Sequence, residues 1–128
     1  GPIDAERAVQ HSWCDLFNLR LSKCGGFIPS LRLAQLARRH GLGYQLGCQV
    51  GETAILSAAG RHFATSVADL RYLEGSYDRH LVWESLSSED LTFSRSGWAP
   101  ALVGSGLGFT LDPARLEWVT KRKKALLG

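Results

Sequence analysis

Five polar residues that could transfer a proton or bind a small acid follow short apolar runs in the first part of this 128-residue chain. Lys23 follows the first run, Gln49 and Glu52 follow the second, and Glu74 and Asp78 follow the third. A lysine whose pKa is lowered by burial or by a nearby cation acts as a base, and a carboxyl or amide group can hold a substrate. The pattern therefore predicts a proton-transfer site if the three runs are neighbouring strands, and solvated loop residues if they are not.

The elements around these residues alternate between helix and strand. Three runs are predicted as strands: Leu16–Leu21, Leu42–Gln49 and Leu70–Leu73. Three segments are predicted as helices: Asp4–His11 with Asp4 as N-cap, residues 29–40, and Ala54–Thr65. This order indicates parallel strands joined by right-handed crossovers. The carboxyl ends of such strands meet at one edge of the sheet, where function gathers in α/β folds.

The alternation in the first strand predicts which side chains face the helices. Phe17 and Leu19 alternate with Asn18 and Arg20, so the apolar pair is expected to face the outer helices and the polar pair to face inward. We expect Arg20 to form an interior ion pair. Lys23 lies beyond the strand, where alternation no longer fixes the direction of a side chain.

The second half of the chain follows a different pattern. Residues 91–99 predict a hairpin around Ser94–Gly97. Asp112 and Pro113 predict the start of a last helix, and Lys121–Lys124 lie near its carboxyl end, where cations are favoured. These four cations are interpreted as a solvated helix end.

Composition excludes several classes of protein. With 45% hydrophobic and 21% charged residues the chain is globular, and it is too short for a complete (β/α)₈ barrel, which needs about 200 residues. No run of about 18 apolar residues predicts a membrane span. A net charge of +3 does not by itself indicate a nucleic-acid partner. Three cysteines without CxxC spacing predict free thiols and a reducing, cytoplasmic location.

Four segments carry a resemblance to one family. Asn18–Gly26, which ends in Lys-Cys-Gly-Gly, resembles the sixth barrel strand of the enolase superfamily. Gly47–Thr53 resembles the end of the seventh strand, and Tyr72–Gly75 resembles the end of the eighth. Gly106–Phe109 is similar to a Gly-Leu-Gly segment near the carboxyl terminus of these enzymes. The likeness is to the branch of muconate-lactonising enzymes and mandelate racemase-like proteins.

The resemblance implies an α/β fold that is the C-terminal portion of a (β/α)₈ barrel, with about three βα units. Residues 1–79 would hold the units of strands six to eight. Residues 80–128 would hold a hairpin, a loop and a helix that return to the capping region. The family's upstream barrel strands would be a partner of this chain.

The resemblance also implies an activity. Enzymes of this family abstract the proton α to a carboxylate and stabilise an enediolate on a divalent metal, so Mg²⁺ is the expected cofactor, with its ligands upstream and none in this chain. Lys23 would be the acid/base, Glu74 would be a second catalytic residue beside the substrate carboxylate, and Gln49 or Glu52 would line the pocket. The reaction would be a racemisation, epimerisation, cycloisomerisation or dehydration. The alternative is a non-catalytic fragment or a binding and assembly module.

The expected partners follow from the same interpretation. The substrate would be a small molecule that bears a carboxylate. Three parallel strands leave open edges, which favours association, so a homo-oligomer is expected. Neither a nucleic-acid nor a membrane partner is predicted.

Overall fold

The fold is α/β. The computed structural model describes residues 1–127, and within them there are two strands and six helices. The strands are β1 (Leu16–Leu19) and β2 (Gly43–Leu46). The helices are α1 (Pro2–Gln10), α2 (Leu21–Cys24), α3 (Phe27–Arg39), α4 (Ala54–Ser66), α5 (Asp78–Leu81) and α6 (Pro113–Leu127). No helix in the described part of the chain has the length and apolar character needed to cross a bilayer.

The two strands are parallel neighbours, as the alternation of elements predicts. Leu16 pairs with Gly43 and Leu19 with Leu46, and α3 makes the crossover between the strands. Residues 71–74 run alongside β2 on its other edge. The Arg71 amide donates to the Tyr44 carbonyl at 2.9 Å, and the Glu74 amide donates to the Leu46 carbonyl at 2.8 Å.

The main hydrophobic core lies between this sheet and helices α3 and α4. Leu19 and Tyr44 from the strands pack with Ala37 and Phe63 from the helices, and each is 2% exposed or less. Phe17 packs against the same cluster. The predicted outward face of β1 is therefore confirmed, because its apolar residues meet the helices.

The predicted first strand is too long. β1 ends at Leu19, and Leu21 begins the single helical turn α2. The amides of Lys23 and Cys24 both donate to the Arg20 carbonyl, at 2.9 and 2.8 Å, and Gly25 ends the turn at φ 89°. The chain turns here because glycine adopts this left-handed conformation without strain. Lys23 consequently sits on a helical turn.

The other predicted strands are also shorter than expected or absent. β2 ends at Leu46, three residues before Gln49, and the predicted third strand is reduced to a single bridge between Leu46 and Leu73. Residues 91–99 form a turn without strands, in which the Ser94 amide donates to the Trp98 carbonyl at 3.0 Å. In these three segments, few hydrogen bonds between neighbouring strands form outside the residues of β1 and β2.

Of the two predicted helix N-caps, the one at α1 is wrong and the one at α6 is confirmed. Asp4 is not an N-cap, since α1 begins at Pro2, and its carboxylate lies 2.8 Å from the terminal amine instead. Asp112 caps α6 as predicted. Its Oδ1 accepts from the amides of Ala114 and Arg115, at 3.0 and 3.1 Å.

The segment after residue 75 is held to α4 by a buried arginine. Arg61, 6% exposed, donates from Nη2 to the Leu91 carbonyl and from Nη1 to the Pro100 carbonyl at 3.4 Å. Its guanidinium lies 5.4 Å from the centre of the Phe93 ring. These contacts tie residues 91–100 to α4, although the region has little regular structure.

Candidate functional site

The carboxyl ends of β1, β2 and residues 71–74 form one edge of the sheet. The Gly47 amide donates to the Leu19 carbonyl at 2.7 Å, and the Glu74 amide donates to the Leu46 carbonyl at 2.8 Å. The three chain segments are thus hydrogen-bonded side by side where their strands end. The structure brings three of the predicted site residues to this edge.

Glu52 is placed by the loop between β2 and α4. Its Oε1 accepts from the Gln49 amide at 2.7 Å and from the Ser22 hydroxyl at 3.4 Å. Gln49 contributes this backbone donor, so the half-buried carboxylate is the better-positioned pocket group of the two. Glu52 and Glu74 line the same small cavity, together with Leu21, Ser57 and Gly75.

Glu74 lies on the inner face of the sheet. Gln45 Nε2, on the neighbouring strand, lies 3.5 Å from Glu74 Oε1. The Glu74 side chain is exposed. An exposed carboxylate beside an amide donor can orient a substrate by accepting hydrogen bonds.

Lys23 forms no ion pair with the two carboxylates. Its side chain is exposed on α2 and makes no hydrogen bond or ion pair with any residue from 1 to 127. Its neighbour Ser22 contacts Glu52, so α2 and the loop after β2 are adjacent at this edge.

Asp78 does not join the site. It is 2% exposed, and its Oδ1 accepts from the Ser57 hydroxyl of α4 at 2.7 Å. Because its carboxylate is buried between α4 and α5, it serves the packing of the C-terminal half.

Two residues that the sequence-based selection of site residues omits belong to this neighbourhood. Burial, with the negative charges of Glu52 and Glu74, raises the pKa of the Cys48 thiol, while the positive charge of Arg20 acts to lower it. Arg20 directly follows β1, and a Cβ built on Gly75 would lie 3.5 Å from Cys48 Cβ, so both residues lie at the edge where the strands end. Strand alternation does place Arg20 inward, whereas nothing in the pattern marks Cys48.

The expected interior ion pair of Arg20 is not formed. No carboxylate in residues 1–127 lies within ion-pair distance of its guanidinium, and its Nε is buried without a hydrogen-bond partner among those residues. Strand alternation predicts the face on which Arg20 lies. It does not predict an ion-pair partner, because partners depend on tertiary contacts.

The described residues do not fit a metal ion. No group of three or more histidine, cysteine, aspartate or glutamate side chains converges in residues 1–127. A bound Mg²⁺ takes oxygen ligands in octahedral geometry, and a pair of glutamates alone does not provide such a set.

Comparison with known proteins identifies the family. Residues 1–115 match the family model described as enolase C-terminal domain-like. An L-Lys-D/L-Arg epimerase of Methylococcus capsulatus is 40% identical over 81 residues, which is 61% of this chain and 22% of the relative. A chloromuconate cycloisomerase of Cupriavidus pinatubonensis is 30% identical over 110 residues, 85% of this chain and 29% of the relative.

A solved structure supports the same assignment. The dipeptide epimerase from Cytophaga hutchinsonii, complexed with Mg and the dipeptide D-Ala-L-Val, superposes with a TM-score of 0.79 at 25% identity. The match covers 91% of this chain and 31% of that chain. This chain thus spans less than a third of the length of these relatives. It belongs to the enolase C-terminal domain-like family, in the muconate-lactonising and mandelate racemase branch of the enolase superfamily.

Proposed function

We propose that the protein containing this chain is an isomerase that abstracts the proton α to a carboxylate, with a dipeptide as the preferred substrate class. The observation that carries the proposal is that Glu52 and Glu74 both lie at the carboxyl ends of the parallel strands, where they line a cavity of about 10 Å³. The 40% identity to an L-Lys-D/L-Arg epimerase supports the choice of an epimerisation among the possible reactions.

The roles of the residues follow from their positions. Lys23 is proposed as the acid/base, because an exposed amine on α2 is free to reach over the edge next to Glu52. Glu74 is proposed to orient the substrate through its exposed side chain. Glu52, held by the Gln49 amide, lines the pocket.

The chain supplies only part of such an enzyme. We propose that residues 1–79 form the βα units of barrel strands six to eight and that residues 80–128 return toward a capping region. The edges of β1 and of residues 71–74 would then pair with other strands of the same polypeptide. A homo-oligomer remains our proposal for the assembled protein.

Mg²⁺ is proposed for the complete enzyme because the related epimerase structure contains it. Residues 1–127 contain no cluster of ligands for the ion. Its ligands would come from other segments.

Epimerisation is tested by the stereochemistry of exchange. The complete polypeptide is incubated in D₂O with L-Lys-L-Arg and, separately, with L-Lys-D-Arg, and loss of the α-proton signal is followed by NMR. We expect Lys23→Ala to slow exchange from one epimer by roughly 10²- to 10⁴-fold, the effect of removing a general acid/base.

Lys121→Ala is the matched control. Lys121 is an exposed lysine on α6 that pairs with Glu117 at 2.6 Å, and its loss should leave both exchange rates unchanged. If Lys23→Ala retains the wild-type rate with both epimers, Lys23 is not the acid/base. If the wild-type protein binds dipeptides but exchanges neither proton, the non-catalytic binding role is correct.

A further inference from the structure

We propose that Asp78 is a positioning residue and that its hydrogen bond with Ser57 fixes the turn that sets the direction of Glu74. The proposal rests on the proposed function, since it concerns how one proposed site residue is held. Asp78 does not line the cavity that Glu74 lines. It therefore acts through the residues that join it to Glu74.

The chain between Glu74 and Asp78 forms an unusual turn. Gly75 and Ser76 have φ angles of 124° and 50°, so two consecutive residues have positive φ. For serine this conformation is uncommon and costs free energy, and Ser76 is only 3% exposed. A residue in such a conformation persists where the surrounding contacts hold it. The turn next to Glu74 therefore depends on its anchors.

Three hydrogen bonds anchor this turn. At its start the Glu74 amide is bonded to β2, and in its middle the Ser76 carbonyl accepts from the Phe93 amide at 2.9 Å. At its end the Ser57 hydroxyl donates to Asp78 Oδ1 at 2.7 Å. The first two bonds join backbone groups, which every residue except proline can supply. The third needs the side chain of Asp78, so the identity of this residue fixes the far end of the turn.

Burial makes the anchor at Asp78 effective. Asp78 is 2% exposed and Ser57 is 4% exposed, so solvent does not readily replace their hydrogen bond. It is the single hydrogen bond that the Asp78 carboxylate makes within residues 1–127. Burial lowers the pKa of Arg61, and the negative charge of Asp78 acts against that shift, so a positive charge lies near the buried carboxylate. Asp78 is thus held to α4, the helix that carries both Ser57 and Arg61.

Exchange of the α-proton tests the positioning role. With the complete polypeptide and L-Lys-L-Arg in D₂O, Asp78→Ala should slow exchange by roughly 10- to 100-fold, the cost of misplacing an orienting group by about 1 Å. Asp78→Asn keeps an acceptor for the Ser57 hydroxyl and should restore most of the wild-type rate. Asp69→Ala is the matched control. Asp69 is an exposed aspartate that pairs with Arg38 at 3.0 Å, and its loss should leave the rate unchanged.

A double variant separates positioning from general destabilisation. With Glu74→Gln already in place, Asp78→Ala should slow exchange by less than about 3-fold, because the group that it positions no longer acts and the two effects do not add. A residue that serves stability alone would slow exchange equally with and without Glu74→Gln.

The Cys48 thiol reports the place of Glu74 without turnover. A Cβ built on Gly75 would lie 3.5 Å from Cys48 Cβ, so Cys48 lies beside the turn. Burial, followed by the negative charges of Glu52 and Glu74, raises the pKa of this thiol. Glu74→Gln should therefore lower the pH midpoint of Cys48 alkylation, followed by peptide mass spectrometry. In the Asp78→Ala background the same substitution should lower that midpoint much less, because the glutamate has already moved away.

The outcomes separate the two proposals. A wild-type polypeptide that exchanges no α-proton refutes the proposed epimerisation, and the thiol measurement then decides the role of Asp78 on its own. Equal effects of Asp78→Ala on exchange with and without Glu74→Gln, or an equal shift of the thiol midpoint in both backgrounds, overturn the positioning role. So does Asp78→Asn if it is as slow as Asp78→Ala. If Asp78→Ala does not fold, Ser57→Ala decides by the same comparisons, since it removes the hydroxyl that holds Asp78.

Discussion

Arg61 holds the irregular C-terminal half against α4, and we expect Arg61→Met to destabilise the protein by about 2 kcal/mol. Methionine keeps much of the buried stem but removes the donors to the carbonyls of Leu91 and Pro100. Leu91 is 5% exposed, and leaving a buried carbonyl without a donor costs about 1–3 kcal/mol.

The other contributions of Arg61 to the free energy of unfolding are smaller and partly cancel one another. Pro100 is exposed and its 3.4 Å contact is long, so water can replace that donor. The loss of the cation over the Phe93 ring adds about 0.5–1 kcal/mol. Burial lowers the pKa of Arg61, so the charge is disfavoured there, and its removal recovers part of that cost.

Urea unfolding of the complete polypeptide measures this free energy, and amide exchange locates it. The Phe93 amide donates to the Ser76 carbonyl at 2.9 Å, two residues after Glu74, and its protection should fall in Arg61→Met. Arg39→Met, at an exposed position, should stay within about 0.5 kcal/mol of the wild-type stability. An Arg61→Met variant as stable as that control, with full protection of Phe93, would refute this account of the C-terminal half.

Two further predictions concern the residues that follow β2. Gly47→Ala should destabilise the protein by about 1 kcal/mol through overpacking, because the new methyl group meets Asn18. In the double variant, Asn18→Ala should relieve most of that cost. If thermal unfolding gives the same cost for Gly47→Ala with and without Asn18→Ala, the two side chains do not meet. The rate of Cys48 alkylation by iodoacetamide should rise with pH only above the usual thiol range, because burial, Glu52 and Glu74 raise the pKa of the thiol. Arg20→Met should move the midpoint of this pH–rate profile still higher. A lower midpoint would show that Arg20 does not lie near the thiol.

The order of the main elements and the inner face of β1 are the parts of the fold that periodicity predicts well. Leu19 and Phe63 are buried because their spacing matches a strand and a helix that face each other. The errors lie where local signals compete with tertiary contacts. Alternation continues through Leu21, yet the chain turns into α2 because Gly25 permits a left-handed end. No periodicity marks α5, a single turn whose first residue, Asp78, is fixed by Ser57.

The common location of Gln49, Glu52 and Glu74 was predictable because strand ends gather at one edge of a parallel sheet. Sequence spacing does not say whether Gln49 or Glu52 lines the cavity. In the structure Glu52 lines it, and its carboxylate accepts a hydrogen bond from the Gln49 amide. Spacing also does not show that Lys23 stands exposed while Arg20 is half-buried. Those differences arise from the turn at α2, which only the three-dimensional contacts define.

The most direct test of the central claim is deuterium incorporation at the α-carbon of L-Lys-L-Arg by the complete wild-type polypeptide in D₂O. The account predicts replacement of the α-proton together with formation of L-Lys-D-Arg, both observed in one NMR time course. A dipeptide that binds with its α-proton fully retained, under conditions in which a related epimerase exchanges it, would contradict the claim.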